Sequence, residues 1–581
     1  MSEDSEKQAD VRAEKPRRAP QTGAAERIGE ERIAAYHEFT RTKGVNRFVY
    51  FVARALLQPF FLIWFRLDRV GREYAKVDRG LIVASNHRSF LDPFVIGALL
   101  PWSRPIHYVA KVELFEKRWQ GWVLNRLGAY PVRRGQADDD TVKTSAGILE
   151  RGGTVCIFPE GTRIRRGSLA APHRGVGRLA LESGASVMPV AVHGTEHVRR
   201  GWRIRPRKVR LRAGKAVSFP RTENPSPSLA ATVTARIWPS IELQWEWLGG
   251  LPPMRKAAVI GAGSWGTAVA VLLARGGIEV ELGCRTAEQA EQLRAERENT
   301  VYLPGIHLPP SIAIKRAAEI EYSALDLVCL AVPSASLPAA VGALGDKIGT
   351  RTAMLLLSKG LVPPLGTLPS EYVSDRVRFR SIAALGGPAH AKEAASGTAA
   401  LALASCDGDL RAQLGDVFDR AGLICERTRD VVGVEMAGAA KNAASLAAAA
   451  AEPHGLNAAG IAAAEVWREC VAYATLKGAE LETFSGLAGI GDLTATLLAP
   501  GSRNRRAGEM LGSGIPAEQI PDRLGQASEG LDSVPLIAAA VSAAGVEASG
   551  LNGLASLIDG DLTAVEWVAS LRRAERARSA A

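Results

Sequence analysis

Cysteine is scarce: six stand among 581 residues, at positions 156, 284, 329, 406, 425 and 470, and no two are spaced Cys-x-x-Cys. This excludes a disulfide scaffold and the usual metal-binding spacings, so no metal is expected and a reducing cytoplasm is the simplest home. The N-terminus lacks the apolar core of a signal peptide, its first forty-odd residues being charged and rich in Ala, Glu and Arg. Residues 1–44 are therefore expected to form a disordered arm. Internal repeats of solenoid period are absent. Long apolar runs are also missing. The segment from Asn46 to Phe65 carries seven aromatics but is interrupted by Arg54, Gln58 and Pro59, leaving its longest clean run far below the roughly 20 residues of a spanning helix. It reads as an interfacial membrane segment with Arg47, Arg54 and Arg66 near the head groups; the alternative is a buried core helix.

What is present excludes a fibrous or wholly disordered chain, since 47% of residues are hydrophobic and 23% charged. The length fits three or four domains. Short apolar strands alternate with helices from Val70 to about Phe219, as in GLIVASNH, GTVCIFPEG, ASVMPVAVHG and KVRLRAG, which argues for an α/β domain over residues 45–247. A linker is expected at 248–254. Beyond it VELGCR, LDLVCLAVP, TAMLLLSKG and TAALALAS have the rhythm of a doubly wound parallel sheet over 255–432. The Ala-rich remainder, 433–581, reads as all-helical. Between Gly161 and Arg221 about fifteen Lys/Arg face two acids, a field that attracts anionic lipid, phosphorylated substrate or nucleic acid. No recognisable nucleic-acid motif accompanies it, so nucleic acid is not the expected partner.

Directly after the strand LIVAS, the run Asn86-His87-Arg88-Ser89-Phe90-Leu91-Asp92 places a His and an Asp five positions apart at a strand-to-helix junction. There an imidazole can take a proton from a substrate hydroxyl while a carboxylate fixes its tautomer, with no serine nucleophile required. Phe158-Pro159-Glu160-Gly161-Thr162-Arg163 follows the strand GTVCI, and its guanidinium suits a phosphate. With Lys111 in AKVELF and Val187-Met188-Pro189-Val190, these blocks over about residues 70–220 resemble the glycerolipid acyltransferase family. The resemblance implies His87 as general base, Asp92 as its orienting partner, and Lys111, Glu160, Gly161 and Arg163 in the glycerophosphate site. It implies acyl-CoA or acyl carrier protein as donor, and glycerol 3-phosphate or its 1-acyl form as acceptor.

Gly261-Ala262-Gly263-Ser264-Trp265-Gly266 follows the strand KAAVI and opens the helical TAVAVLLARG, the context in which a GxGxxG turn brings helix amides to a pyrophosphate. The acid expected at the end of the next strand is replaced by Cys284-Arg285, and an arginine there accepts a 2′-phosphate, so NADPH is tolerated beside NADH. NTVYLPG, AVPS, SKG, GGPAHAKE, GAAKN and GLAGIGDLTAT through SRNRRAG then occur in one order. From about Lys256 almost to the C-terminus this resembles the NAD(P)-dependent glycerol-3-phosphate dehydrogenase family. A lysine among other cations and shielded from water has its pKa pulled toward neutrality and acts as an acid. The resemblance gives that role to Lys441, with Lys359 polarising the carbonyl, Asp492 and Thr496 in the substrate shell, and Arg503 and Asn504 gripping phosphate and cofactor. Gly261, Gly263, Ser264, Trp265, Gly266, Arg285, Lys359, Arg503 and Glu529 take the cofactor positions.

Two departures stand out. The family's Thr-Arg-Gly-Leu block is replaced within Asn457 to Glu465, which reads as a repacked helix interface, and Ala389-His390 replaces Ser-Phe, with His390 read as a packing or surface residue. The expectation is a bifunctional enzyme. One half reduces dihydroxyacetone phosphate to sn-glycerol 3-phosphate, and the other acylates a glycerol 3-phosphate derivative at the inner face of a membrane. The helical domain of the dehydrogenase family commonly mediates dimers, so a homodimer is expected. The alternative is an acyltransferase governed by a catalytically silent nucleotide-sensing domain.

Overall fold

The computed structural model describes residues 28–133, 139–164, 167–200, 203–525 and 528–580. They form two compact units that meet between Pro252 and Pro253. The expected arm lies outside the described residues as far as residue 27, but Glu30–Thr42 is a helix, which corrects that expectation. Its Ile33, His37 and Thr40 are buried, at the i, i+4, i+7 spacing of one helix face hidden by the surrounding charge. Asn125 Nδ2 donates to the Tyr36 carbonyl at 3.1 Å and to Thr40 Oγ1 at 2.9 Å, fixing this helix to the first unit.

The first unit is built on a seven-stranded sheet in the order Asp68–Val70, Arg210–Ala213, Ser186–His193, Leu81–Ser85, Thr154–Ile157, Ile106–Lys111, Ala129–Val132. The last five are parallel, and Arg210–Ala213 runs antiparallel to its neighbour Ser186–His193. Strand Leu81–Ser85 is buried throughout. Its Leu81 and Val83 join Phe61, Phe65 and Leu91 on one face, while Ile82 and Ala84 join Trp238 and Trp245 on the other, the two-residue alternation of a sheet covered on both sides. Leu251 is buried, and its carbonyl accepts from Trp245 Nε1 at 3.1 Å, so much of the stretch read as a linker packs into this unit.

The segment Arg47–Trp64 forms one 18-residue helix, with Pro59 inside it. This corrects the expectation that its polar residues break it: by length and composition the helix is apolar enough to cross a membrane. It is not a core helix either, since Phe48, Phe51, Leu56 and Ile63 are all exposed. Arg54 does not interrupt it because its guanidinium turns inward, donating to the carbonyls of Leu100 at 2.5 Å and Pro101 at 3.2 Å and lying over the Trp102 ring.

In the second unit eight strands are ordered Ile312–Arg316, Glu279–Cys284, Lys256–Ile260, Leu327–Leu330, Ala353–Leu356, Ser381–Gly386, Ala400–Ala404, Ile424–Thr428. The first six are parallel in the 3-2-1-4-5-6 order of a Rossmann sheet, and Ser381–Gly386 pairs antiparallel with Ala400–Ala404. Helical structure begins at Val431, two residues before the expected boundary. The helix Val431–Ala451 is buried along nearly its whole length, which its alanines permit by letting neighbours approach closely. Asn457 to Glu465 lies in the helix Leu456–Leu476, with Ala458 and Ala462 in the same core.

Asp430 caps Val431–Ala451 and ties it to a later segment. Its Oδ1 accepts from the Gly433 amide at 2.8 Å, and its Oδ2 accepts from the Glu480 amide at 2.8 Å and Thr483 Oγ1 at 2.6 Å. Asp430→Ala leaves three donors without their partner and is expected to destabilise this unit by about 2–4 kcal/mol. The check is a lower urea midpoint for the unit's unfolding transition, with Asp430→Asn falling between the variant and the parent.

Candidate active sites

In the first unit three adjacent parallel strands deliver one cluster from their C-terminal ends. Leu81–Ser85 leads into Asn86 to Asp92, Thr154–Ile157 into Phe158 to Arg163, and Ser186–His193 into Gly194 to Glu196. His87 Nδ1 is 2.8 Å from Asp92 Oδ2. The same oxygen accepts the amides of Arg88 at 2.6 Å and Ser89 at 2.7 Å, and Oδ1 accepts Thr195 Oγ1 at 2.6 Å. A carboxylate already taking three other donors acts as acceptor toward Nδ1, so Nδ1 carries the proton and Nε2 is left to receive one. The His87 ring stacks on Phe158, centroids 4.0 Å apart.

Glu160 braces the histidine through the backbone. Its Oε2 accepts the His87 amide at 2.6 Å, its Oε1 accepts the Ala170 amide at 2.9 Å, and Ile164 N–H donates to the His87 carbonyl at 2.8 Å. Burial pushes the Glu160 carboxyl up to about 7, against the pull of those amides and of Arg88. Glu160 thus fixes the backbone at His87. Gly161 has φ +66°, and Arg163 is exposed on the same loop. Among the described residues no hydrogen bond or ion pair ties Lys111 or Arg163 to the His87–Asp92–Glu160 cluster. Thr195 escaped the sequence reading: a lone threonine after Val-Ala-Val-His-Gly carries no signal until the sheet places it over Asp92.

In the second unit the turn Gly261 to Gly266 fits a dinucleotide. A Cβ on Gly261 (φ +110°) would lie 2.5 Å from the Ala331 carbonyl oxygen, and one on Gly266 would lie 1.9 Å from that of Gly261, whereas Gly263 faces open space. The helix Ser264–Arg275 starts with no side-chain cap on its amides, leaving them for an anion. Ser264 and Trp265 sit half-buried on the turn, and Arg285 is exposed just past Glu279–Cys284.

Lys441, Lys359, Asp492 and Thr496 come together. Lys359 Nζ is 2.7 Å from Asp492 Oδ2, Lys441 Nζ is 3.7 Å from Asp492 Oδ1, and Lys441 Nζ donates to Thr496 Oγ1 at 3.2 Å. Burial, helped by the neighbouring cations Lys359 and Arg503 and opposed by Asp492 and Glu529, pulls the Lys441 ammonium down to about 8. Burial alone would raise the Asp492 carboxyl; Lys359 and Lys441 outweigh it and hold Asp492 below the ordinary aspartate value.

A second layer continues from there. Asn442 Nδ2 donates to the Lys359 carbonyl at 2.9 Å, Asn504 Nδ2 donates to Asn442 Oδ1 at 2.7 Å, and Asn504 Oδ1 accepts Ser528 Oγ at 2.8 Å. Asn442 also faces Glu529 Oε2 at 3.5 Å. Burial raises the Glu529 carboxyl, against the pull of Arg503, Lys441 and Lys359. Arg503 is exposed at the start of Arg503–Gly512. His390 is half-buried, its Nε2 is 3.3 Å from the Ala495 carbonyl, and it lies near enough to Asp492 to interact with it electrostatically. It therefore borders this cluster more closely than a surface residue would.

Residues 256–411 match the family model described as NAD-dependent glycerol-3-phosphate dehydrogenase N-terminus, and residues 430–569 match the C-terminus of that family. Residues 66–193 match an acyltransferase model. The chain is 36% identical over 316 residues to a glycerol-3-phosphate dehydrogenase [NAD(P)+] of Deinococcus radiodurans, a match spanning 54% of this chain and 93% of that protein. To the protein of the same description from Nocardia farcinica it is 40% identical over 311 residues, spanning 51% and 90%. A crystal structure of glycerol-3-phosphate dehydrogenase from Coxiella burnetii superposes with a TM-score of 0.52 at 28% identity, covering 55% of this chain and 98% of that one.

The electrostatics of Lys441 can be read directly. Modification by acetic anhydride, followed at the Lys441 peptide by mass spectrometry, is expected to rise with pH through a midpoint near 8. Asp492→Asn removes the carboxylate that favours the ammonium, so its midpoint is expected to fall further. A midpoint that rises instead contradicts the arrangement.

Proposed function

The chain belongs to the NAD-dependent glycerol-3-phosphate dehydrogenase family through residues 256–411 and 430–569 and carries an acyltransferase domain at 66–193, and from that premise we propose how its two sites work. It is a bifunctional enzyme of phospholipid-precursor synthesis. The second unit reduces dihydroxyacetone phosphate to sn-glycerol 3-phosphate with NADH or NADPH. The first transfers an acyl group to a glycerophosphate acceptor.

For the reduction, the observation that supports the assignment most is the buried Lys441 between Asp492 and Thr496. Nicotinamide, when bound, would supply the hydride equivalent that the central carbon takes up. Lys441, as an ammonium held near neutrality, gives the proton to the carbonyl oxygen, and Lys359 polarises that oxygen while fixed by Asp492. Thr496, Arg503 and Asn504 orient the phosphate-bearing substrate. Gly261, Gly263, Ser264, Trp265 and Gly266 hold the pyrophosphate, and Glu529 lines the cofactor side. Arg285, with no acid at that strand end, accepts the 2′-phosphate of NADPH.

For the transfer, His87 Nε2 takes the proton of the acceptor hydroxyl as its oxygen attacks the thioester carbonyl of acyl-CoA or acyl carrier protein. The C–S bond breaks, and the departing thiolate takes the proton back from the imidazolium, which Asp92 stabilises meanwhile. Lys111, Gly161 and Arg163 hold the acceptor phosphate, with Glu160 bracing the loop. If glycerol 3-phosphate itself is the acceptor, the two reactions are consecutive. A silent nucleotide-sensing domain is not favoured, because Lys359, Lys441, Asp492 and Arg503 are all retained.

The helix Arg47–Trp64 lies in the membrane interface at the cytoplasmic face. Its inner side is tethered through Arg54 and the buried Phe61, which supports a helix lying on the bilayer over one passing through it.

The decisive test adds dihydroxyacetone phosphate to the full-length protein with NADH or NADPH, and separately an acyl-CoA with either acceptor. Lys441→Ala is expected to lower cofactor oxidation by about 10²- to 10⁴-fold and leave acyl transfer intact, and His87→Ala the reverse. Absence of oxidation with both cofactors sinks the reduction reading. Phe51→Glu combined with Leu56→Glu is expected to weaken sedimentation with anionic vesicles by about tenfold or more.

A further inference from the structure

Arg88, next in sequence to His87, is 1% exposed. A buried guanidinium is costly unless its donors are met; here Nη1 and Nη2 are met, while Nε is buried without a hydrogen-bond partner among the described residues. Nη1 donates to the Ile164 carbonyl at 2.7 Å and Nη2 to the Gly167 carbonyl at 2.5 Å. The guanidinium carbon sits 4.3 Å from the ring centroid of Trp245, itself buried in the helix Pro227–Trp247. Its charge also pulls down the carboxyls of Glu160 and Glu196, both raised chiefly by burial.

These contacts converge on one stretch of backbone. Ile164 directly follows Arg163, its amide donates to the His87 carbonyl and its carbonyl accepts from Arg88. The exposed Thr162 and Arg163 are thus held between two fixed ends: Glu160, bonded to the His87 amide, and Ile164, bonded to both His87 and Arg88. Two carbonyls held by two separate nitrogens call for the planar fork of arginine, which the point charge of lysine does not reproduce.

We propose that Arg88 is a positioning residue for acyl transfer: clamped on Trp245, it sets the distance between the acceptor-phosphate loop at Gly161 to Arg163 and the base His87. Only a few bonds join the acceptor's phosphate to its reacting hydroxyl, so a loop displaced from the base weakens the seating of an acceptor that must reach both at once. This inference rests on the acyl-transfer reading above.

The test uses the full-length chain with oleoyl-CoA as donor and, in separate assays, glycerol 3-phosphate and 1-oleoylglycerol 3-phosphate as acceptors. For whichever acceptor the parent uses, Arg88→Gln is expected to raise the acceptor KM by about tenfold or more, with kcat changed less than about threefold and the donor KM unmoved. Trypsin is expected to cut after Arg163 faster in this variant. Arg88→Lys should keep most of the KM defect, and Trp245→Phe a smaller one. A purely structural role would instead lower kcat, through loss of active protein, at constant acceptor KM and unchanged cleavage in the folded fraction. That result overturns the proposal, as does an Arg88→Lys enzyme with the parent's acceptor KM. If Arg88→Gln does not fold, the lysine and Trp245→Phe variants decide by the same criteria. If the parent transfers no acyl group to either acceptor, the acyl-transfer reading fails, while trypsin cleavage after Arg163 still reports whether the clamp exists.

Discussion

The 2.7 Å ion pair between Lys359 and Asp492 joins positions 133 residues apart in the chain, and the charge balance of the second unit's buried cluster depends on it. Asp492 is buried, so its carboxylate persists only because two ammonium groups face it. Lys441 is buried as well, and shares that single carboxylate with a competing cation. Its proton is held loosely as a result. If Asp492 were paired with Lys441 alone, the ammonium would be held more firmly and would be a poorer proton donor near neutrality. The Asn442–Asn504–Ser528 chain then keeps the Lys359 backbone from drifting.

The first unit solves the same problem with neutral donors. Asp92 is surrounded by two backbone amides, a threonine hydroxyl and an imidazole. A charge placed on His87 would meet an oriented acceptor at that carboxylate. In the second unit Lys441, Asp492 and Thr496 stand on helices and Lys359 follows the strand Ala353–Leu356, whereas the first unit's polar groups hang from the C-terminal ends of buried parallel strands. That is where chain from separate segments converges and where loops can differ without disturbing the sheet.

Much of this was legible in the sequence because it is local. The buried strands Leu81–Ser85, Thr154–Ile157 and Lys256–Ile260 are continuous apolar runs ending in Gly, Pro or His motifs, and the glycine turn sits where its strand and helix require. Five things were not legible. The helix Glu30–Thr42 hides three buried positions among charged ones, so composition outvotes periodicity. Arg54 reads as a break in an apolar segment because its partners, the carbonyls of Leu100 and Pro101, are more than forty residues away. Thr195 and the Arg88–Trp245 stack are likewise tertiary, arising from strand order that no local pattern encodes. The stretch around Leu251 reads as a linker because two prolines and two glycines outweigh its two leucines, yet both Leu248 and Leu251 are buried.

The junction at Pro252 and Pro253 joins two units that each complete their own core. Translation therefore yields both active sites in fixed one-to-one number. A cell cannot tune their ratio by changing the expression of one relative to the other. Within this chain the balance between reduction and acyl transfer is set by the two turnover rates and their substrate supplies, and selection on either rate acts on the throughput of the pair.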